Sequence, residues 1–187
     1  MRTLTVKKGG DFVDKFPPGW HTLTIFKAEY GDFQESRFID LWFKEYEDTP
    51  KLSCRVWAKK GKTGEEFAIG RLFRFANAGI QKVSKSDEGD AILTIDDSPS
   101  QLLGKKINVF FYKKDGNGYT EILPNIAPTV FTNDLETFKE DDVNYWKKQA
   151  EKYYQNYIAN KTKSNDDFAT ATRVDAPANG STAEMPW

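Results

Sequence analysis

The sequence predicts a mainly β chain: five strands, a helix between the third and fourth, and a second helix toward the C-terminus. Three observations carry this. Apolar residues alternate at a period of two over residues 20–30, 38–46, 51–59 and 105–114, as a half-buried strand requires. Turn-forming clusters separate these runs: Pro17-Pro18-Gly19, Glu47-Asp48-Thr49-Pro50 and Asp115-Gly116-Asn117-Gly118. Capping signals and a 3-4 apolar spacing mark two segments that are not strands.

In the first strand, 20–30, Leu23 and Ile25 share one face, and Trp20, Thr22, Thr24 and Phe26 share the other. In the second, 38–46, Ile39, Leu41 and Phe43 oppose Phe38, Asp40, Trp42, Lys44 and Tyr46. In the third, 51–59, Leu52, Cys54, Val56 and Ala58 oppose Ser53, Arg55, Trp57 and Lys59. A helix follows, with Thr63 and Glu66 as a capping box, Phe67, Leu72, Phe73, Phe75 and Ala76 as its apolar surface, and Gly79 as its stop. Residues 81–97 read as a polar connection with a short strand at Ala91 to Ile95, and Ser98-Pro99 opens a helical turn that ends at Gly104.

The fourth strand, 105–114, points Ile107, Val109 and Phe111 inward and Lys106, Asn108, Phe110, Tyr112 and Lys114 outward. After the hairpin turn, Tyr119 to Leu123 returns as the fifth. The last helical segment spans 134–160. Asn133 and Glu136 offer a capping box, and Val143, Trp146, Ala150, Tyr153 and Tyr157 form a stripe that is expected to pack on its own domain, with a dimer seam as the alternative. The early acids Glu140, Asp141 and Asp142 suit a helix that begins near residue 140. From Ser164 onward the residues are small or polar and too poor in apolar bulk to offset their ordering entropy, so 164–187 is expected to be disordered.

Composition narrows the function. Net charge is −1 over 187 residues; residues 1–135 carry a net +1 and the remainder a net −2. A polyanion would therefore be held by a local patch. Cys54 is the only cysteine and His21 the only histidine, which argues against zinc, and no phosphate-cradling glycine loop is present. No enzymatic activity, cofactor or metal is expected. Asp96-Asp97 before Ser98-Pro99 reads as a turn and cap. Met1 to Gly10 lacks an apolar leader core and no run reaches membrane-spanning length, so a soluble cytoplasmic protein with no membrane contact is expected.

The outward faces of the strands carry the chemistry. Trp42 and Lys44 come from the second strand, Arg55, Trp57 and Lys59 from the third, and Lys106, Phe110, Tyr112 and Lys114 from the fourth, with Lys60 and Lys62 just after the third. Large aromatics interleaved with cations suit a single-stranded nucleic acid, whose bases stack on rings at about 1–3 kcal/mol each while its phosphates meet Lys and Arg. The order of three strands, helix and two strands matches a five-stranded Greek-key barrel of the OB type, in which the second and third strands are central to the binding face.

Pro18-Gly19-Trp20, Lys27-Ala28-Glu29-Tyr30, Phe75-Ala76-Asn77-Ala78-Gly79 and Leu102-Leu103-Gly104-Lys105 resemble segments of the single-stranded DNA-binding proteins of tailed bacteriophages, over about residues 16–131. The ending Glu184-Met185-Pro186-Trp187 is similar to the acidic, aromatic tip with which such proteins recruit replication and repair partners, although this tip has one adjacent acid and Trp in place of the usual Phe. The resemblance implies an OB-fold domain over 1–131, a helical segment over 132–163 and a partner-binding tail over 164–187. It implies a protein that coats single-stranded DNA in phage replication or recombination in the host cytoplasm; the sequence leaves monomer and dimer both open. Sugar rings also stack on aromatics, so an oligosaccharide-binding module is the main alternative, and a protein adaptor using the 134–160 stripe and the tail is a third reading.

Overall fold

The computed structural model describes residues 14–61, 66–86, 91–114 and 119–159. In chain order they form β1 (Gly19–Phe33), β2 (Ser36–Phe43), β3 (Cys54–Trp57), α1 (Ala68–Phe75), β4 (Ile80–Lys85), β5 (Ala91–Ile95), β6 (Lys106–Lys113), β7 (Thr120–Ile122), β8 (Phe131–Thr132), β9 (Thr137–Phe138) and α2 (Glu140–Tyr154). The fold is mainly β with a C-terminal helix. Five strands make one antiparallel sheet in the order β3-β2-β1-β6-β7, with α1 between its third and fourth strands in sequence. The sheet is not closed into a barrel. β3 and β7 are its two edges, and they face each other through a long contact, 3.8 Å from Cys54 Sγ to the Leu123 carbonyl. β7 is three residues long, and Pro124 lies two residues past its end. Pro has no N–H to extend a ladder.

β1 is long because it serves two partners. Residues Gly19 to Thr24 pair with β6, and Ile25 to Phe33 pair with β2. The β2 register shifts between Ile25 and Lys27, so Phe26 is an extra residue, a bulge. β2 ends at Phe43, earlier than the alternation through 46 predicts. Lys44–Tyr46 is a 3-10 turn, and the Glu45 carboxylate accepts the Thr24 N–H at 2.9 Å where a further strand residue would have done so. Tyr46 consequently turns inward, 5.5 Å from Phe111 between ring centroids.

The main core lies between the inner face of the sheet and α1; Ile25, Ile39, Leu41, Phe73 and Val109 are fully buried there. The α1 end is set by Asn77 at φ 49, one residue beyond the Ala76 cap, and not by Gly79. Gly79, at φ 64, meets a different constraint: a Cβ there would collide with the Asp96 carbonyl oxygen. The short strand expected at Ala91 to Ile95 is β5, and residues 81–85, read as polar connection, pair with it in β4 to make a hairpin. Asn133 accepts the N–H groups of Leu135 and Glu136, which caps the β8–β9 turn and not a helix. α2 therefore starts at Glu140, where Asp142 accepts the Lys139 N–H at 2.9 Å.

A second cluster fills the opposite face of β6. Tyr112, Leu123 and Ala150 are buried in it, with Trp20, Phe110, Tyr153 and Tyr154 around them. α2 thus covers its own sheet: Val143 and Ala150 are buried, and Trp146 sits 5.0 Å from Phe75. Tyr157, at the far end of the stripe, is exposed. No described helix is long and apolar enough to cross a membrane. Thr63, the turn Asp115 to Gly118 and the segment 164–187 lie outside the described residues.

Cys54 is buried, and burial pushes its thiol from 9.0 up to about 12. Burial also raises the Tyr30 and Tyr112 phenols above their usual 10.0. A folded-state pKa above the unfolded value means that alkali favours the unfolded chain, which sheds these protons first. Thermal stability should hold below about pH 9 and fall steadily above it, and Cys54 should resist thiol reagents until the chain unfolds. A melting temperature unchanged between about pH 8 and about pH 11 would contradict this placement of the three groups.

Candidate nucleic-acid interface

Past the bulge, side chains of β1 exchange faces. Ala28 and Tyr30 pack against the core, while Lys27, Glu29, Gly31 and Phe33 share the outer face with β2 and β3. The register stacks this face into rows: Lys27 beside Trp42, then Glu29, Asp40 and Arg55, then Gly31, Phe38 and Trp57, with Phe33 beyond. The Phe38 ring lies across Gly31, where any Cβ would run into it. Arg55 then lies on that ring, its guanidinium carbon 3.7 Å from the centroid. Asp40 fixes it with two hydrogen bonds, accepting from Nε at 2.8 Å and Nη2 at 2.7 Å. Trp57 meets Phe38 edge-on at 5.0 Å, and Phe33 meets Trp57 at 6.5 Å.

At the other end of the face, the Trp42 indole N–H donates to the Pro50 carbonyl at 2.9 Å, and the Lys27 ammonium lies 4.4 Å over the Trp42 ring. Lys27 also pairs with Glu29 at 3.0 Å. The Asp40 hydrogen bond raises the Arg55 pKa, so this guanidinium stays charged. Its charge is nevertheless matched by a carboxylate, and what it presents outward is a flat cationic plane suited to stacking.

The structure brings Trp42, Arg55 and Trp57 together on this one face. Lys59 and Lys60 follow the end of β3 and are exposed, whereas Lys44 and Lys106 are exposed at the opposite end, by the Thr24–Ile25 part of β1. Phe110 and Tyr112 correct the expectation that they face outward. α2 covers that side of β6, so Phe110 packs on Trp20 at 5.3 Å and Tyr154 at 5.5 Å. Tyr112 is buried, and its hydroxyl donates to Glu121 at 2.6 Å. Lys114 pairs with Glu121 at 3.0 Å. Asn108 is buried as well, donating to the Pro128 carbonyl at 2.6 Å. Lys62 and the tip Glu184, Met185, Pro186 and Trp187 lie outside the described residues.

Phe33 and Phe38 join the face although neither stood among the expected site residues. For Phe38 the signal was present, since it shares the period of Asp40 and Trp42. For Phe33 there was none, because its orientation depends on the bulge. His21 serves the fold: Nε2 lies 2.7 Å from the Pro17 carbonyl and the ring 4.3 Å from Phe111. Asp96 accepts from Ser98 and Gln101, as a turn cap does. Among the described residues no group of three or more His, Cys, Asp or Glu is placed to hold a metal ion.

No protein-family model and no curated protein sequence matches the chain.

The Phe38 stack rests on the missing side chain at residue 31. Gly31→Ala should push the ring off its seat and alter Trp57 fluorescence and near-ultraviolet circular dichroism. Because the collision is with the end of a ring and not with backbone, the cost should be about 1 kcal/mol, a melting shift of about 2–4 °C. A variant with an unchanged aromatic spectrum would show that Phe38 does not lie on Gly31.

Proposed function

We propose that this chain binds single-stranded DNA on the outer face of β1, β2 and β3, largely without regard to sequence. Its role is that of a phage-type protein that coats the strand during replication or recombination in the host cytoplasm. In this reading the open sheet is an OB-type Greek key, with α1 between its third and fourth strands, and the tip Glu184–Trp187 recruits replication proteins. The observation that carries the proposal is the column Trp42, Phe38, Trp57 and Phe33 with Arg55 laid on Phe38, all on the side away from the core. Phe33 is 57% exposed, and its ring contact is with Trp57 of the same face and not with the core. Rings on a pleated surface supply stacking platforms at the pitch of the strands, and each stacked base contributes about 1–3 kcal/mol.

The charge pattern shapes the binding. Lys27 and Arg55 are already matched by Glu29 and Asp40, so phosphates must be met by cations at the strand ends, such as Lys44, Lys60 and Lys106. About three such contacts give a slope of log affinity on log salt near −2, so affinity should drop about twentyfold between 50 and 200 mM salt. Titration with oligo-dT should quench tryptophan fluorescence, and Trp57→Ala should cost about tenfold to a hundredfold in affinity with the fold intact. Absence of binding at low salt, by fluorescence and by gel shift, would refute the proposal. Binding of an oligosaccharide with no response to salt would favour the sugar-binding alternative.

A further inference from the structure

Two hollows meet along the β3 edge of the sheet. The larger, about 360 Å³, occupies the open seam between β3 and β7 and is bounded by Lys51, Arg55, Trp57 and Tyr112 among others. The smaller, about 90 Å³, lies between the end of β3, the start of α1 and α2, and is bounded by Lys59, Phe67, Arg71, Trp146 and Gln149 among others. Pro124 lines both, so the two adjoin.

The smaller hollow is lined by two cations, Lys59 and Arg71, whose charge is not taken up in an ion pair among the described residues. Arg74 pairs with Glu136, Arg55 with Asp40 and Lys113 with Asp14. Among the described residues neither Lys59 nor Arg71 forms an ion pair. Both lie over rings instead: Arg71 at 5.0 Å from Trp146 and 5.1 Å from Phe67, Lys59 at 5.6 Å from Tyr153. Glu66 acts on Arg71 through its charge, but its carboxylate is taken up by the N–H groups of Ala68 at 2.7 Å, Ile69 at 2.9 Å and Lys59 at 3.2 Å. Burial, with Arg74 nearby, lowers the Arg71 pKa against the opposing charge of Glu66, as expected for a cation drawn partly out of water. A guanidinium and an ammonium lining one hollow suit an anion, the first offering a fork and the second a point charge.

We propose that this hollow binds a backbone phosphate of the same single strand whose bases stack on Trp57, so that the strand runs along the β3 edge, over the seam, and is gripped by Lys59 and Arg71. The inference rests on the proposed DNA-binding role of the outer face and extends its track to α1 and α2. Lys59 follows Trp57 by two residues, about 7 Å of extended chain, so the stacking platform and the grip lie close together.

The test uses full-length chain and oligo-dT of about 4 to about 16 nucleotides, the span one OB-type domain covers, titrated by fluorescence anisotropy at several salt concentrations. Wild type should gain affinity with length and show a steeper salt slope once the strand reaches the hollow. Arg71→Gln should leave the shortest oligonucleotide unaffected, weaken the longest about three- to tenfold and reduce its slope by about 0.7, one phosphate contact. Arg71→Lys should restore the slope. Arg71 also packs on Trp146, so each variant's melting temperature is measured, and Lys59→Gln, at an exposed position, provides a second loss of charge without loss of packing. If Arg71→Gln and Lys59→Gln match wild type at every length while Trp57→Ala binds poorly, the hollow is off the track and the outer face stands alone. An equal loss at all lengths also overturns the extension. If wild type binds no oligonucleotide at low salt, both proposals fall together.

Discussion

A strand alternates its side chains strictly, so one inserted residue reverses every position after it. In β1 that residue is Phe26. Leu23 and Ile25 point into the core before it, and without the insertion Lys27, Glu29, Gly31 and Phe33 would follow them inward. With it, Ala28 and Tyr30 fill the core and the other four turn outward. The outer face depends on this reversal. Gly31 can lie under Phe38 only from the outer side, Arg55 can lie flat only on a Phe38 that is seated, and Trp57 meets the edge of the same ring. The bulge directly follows Ile25, the first residue of β1 to pair with β2 after Thr24 ends the pairing with β6.

Charge and stacking are separated on this surface. On the outer face each cation is matched by a neighbouring carboxylate, so the face is close to neutral although rich in Lys and Arg, which accords with a chain whose net charge is −1. Cations without an ion pair among the described residues include Lys44, Lys60 and Lys106 at the strand ends and Lys59 and Arg71 on the hollow beside α1 and α2. A polymer with a π-face at every unit and a charge between units fits such an arrangement, since rings meet bases and the rim meets phosphates.

Much of this was legible in the sequence. Alternation located β2, β3 and β6, set Trp42, Arg55 and Trp57 on one side and Cys54 on the other with Leu52 and Val56; the acids at 140–142 located the start of α2. The remainder depended on long-range packing. A bulge without glycine leaves no local signal, so the outward turn of Phe33 was not legible. Period-two alternation in β6 shows two faces but not that a helix covers the second, and Phe110 and Tyr112 were therefore read as exposed. β5 forms at Ala91 to Ile95, where the apolar run placed it, but its partner β4, Ile80-Gln81-Lys82-Val83-Ser84-Lys85, is polar enough to resemble a loop by composition. Asn133 and Glu136 have capping-box spacing, yet the turn they close belongs to β8 and β9, because a side-chain oxygen that accepts two N–H groups serves a tight turn as readily as a helix. Closure of the barrel was also not legible, since it depends on whether two short edge strands approach within hydrogen-bonding distance.

Photo-crosslinking is the most direct test of the central claim that bases rest on the outer face of β1, β2 and β3. An oligonucleotide carrying 5-iodouracil, bound to the full-length chain and irradiated, marks the rings its bases touch, and peptide mapping locates them. Crosslinks should fall on Phe33, Trp42 and Trp57, since Arg55 covers Phe38. Crosslinks confined to the β4–β5 hairpin or to α2, with none on these three, would contradict it.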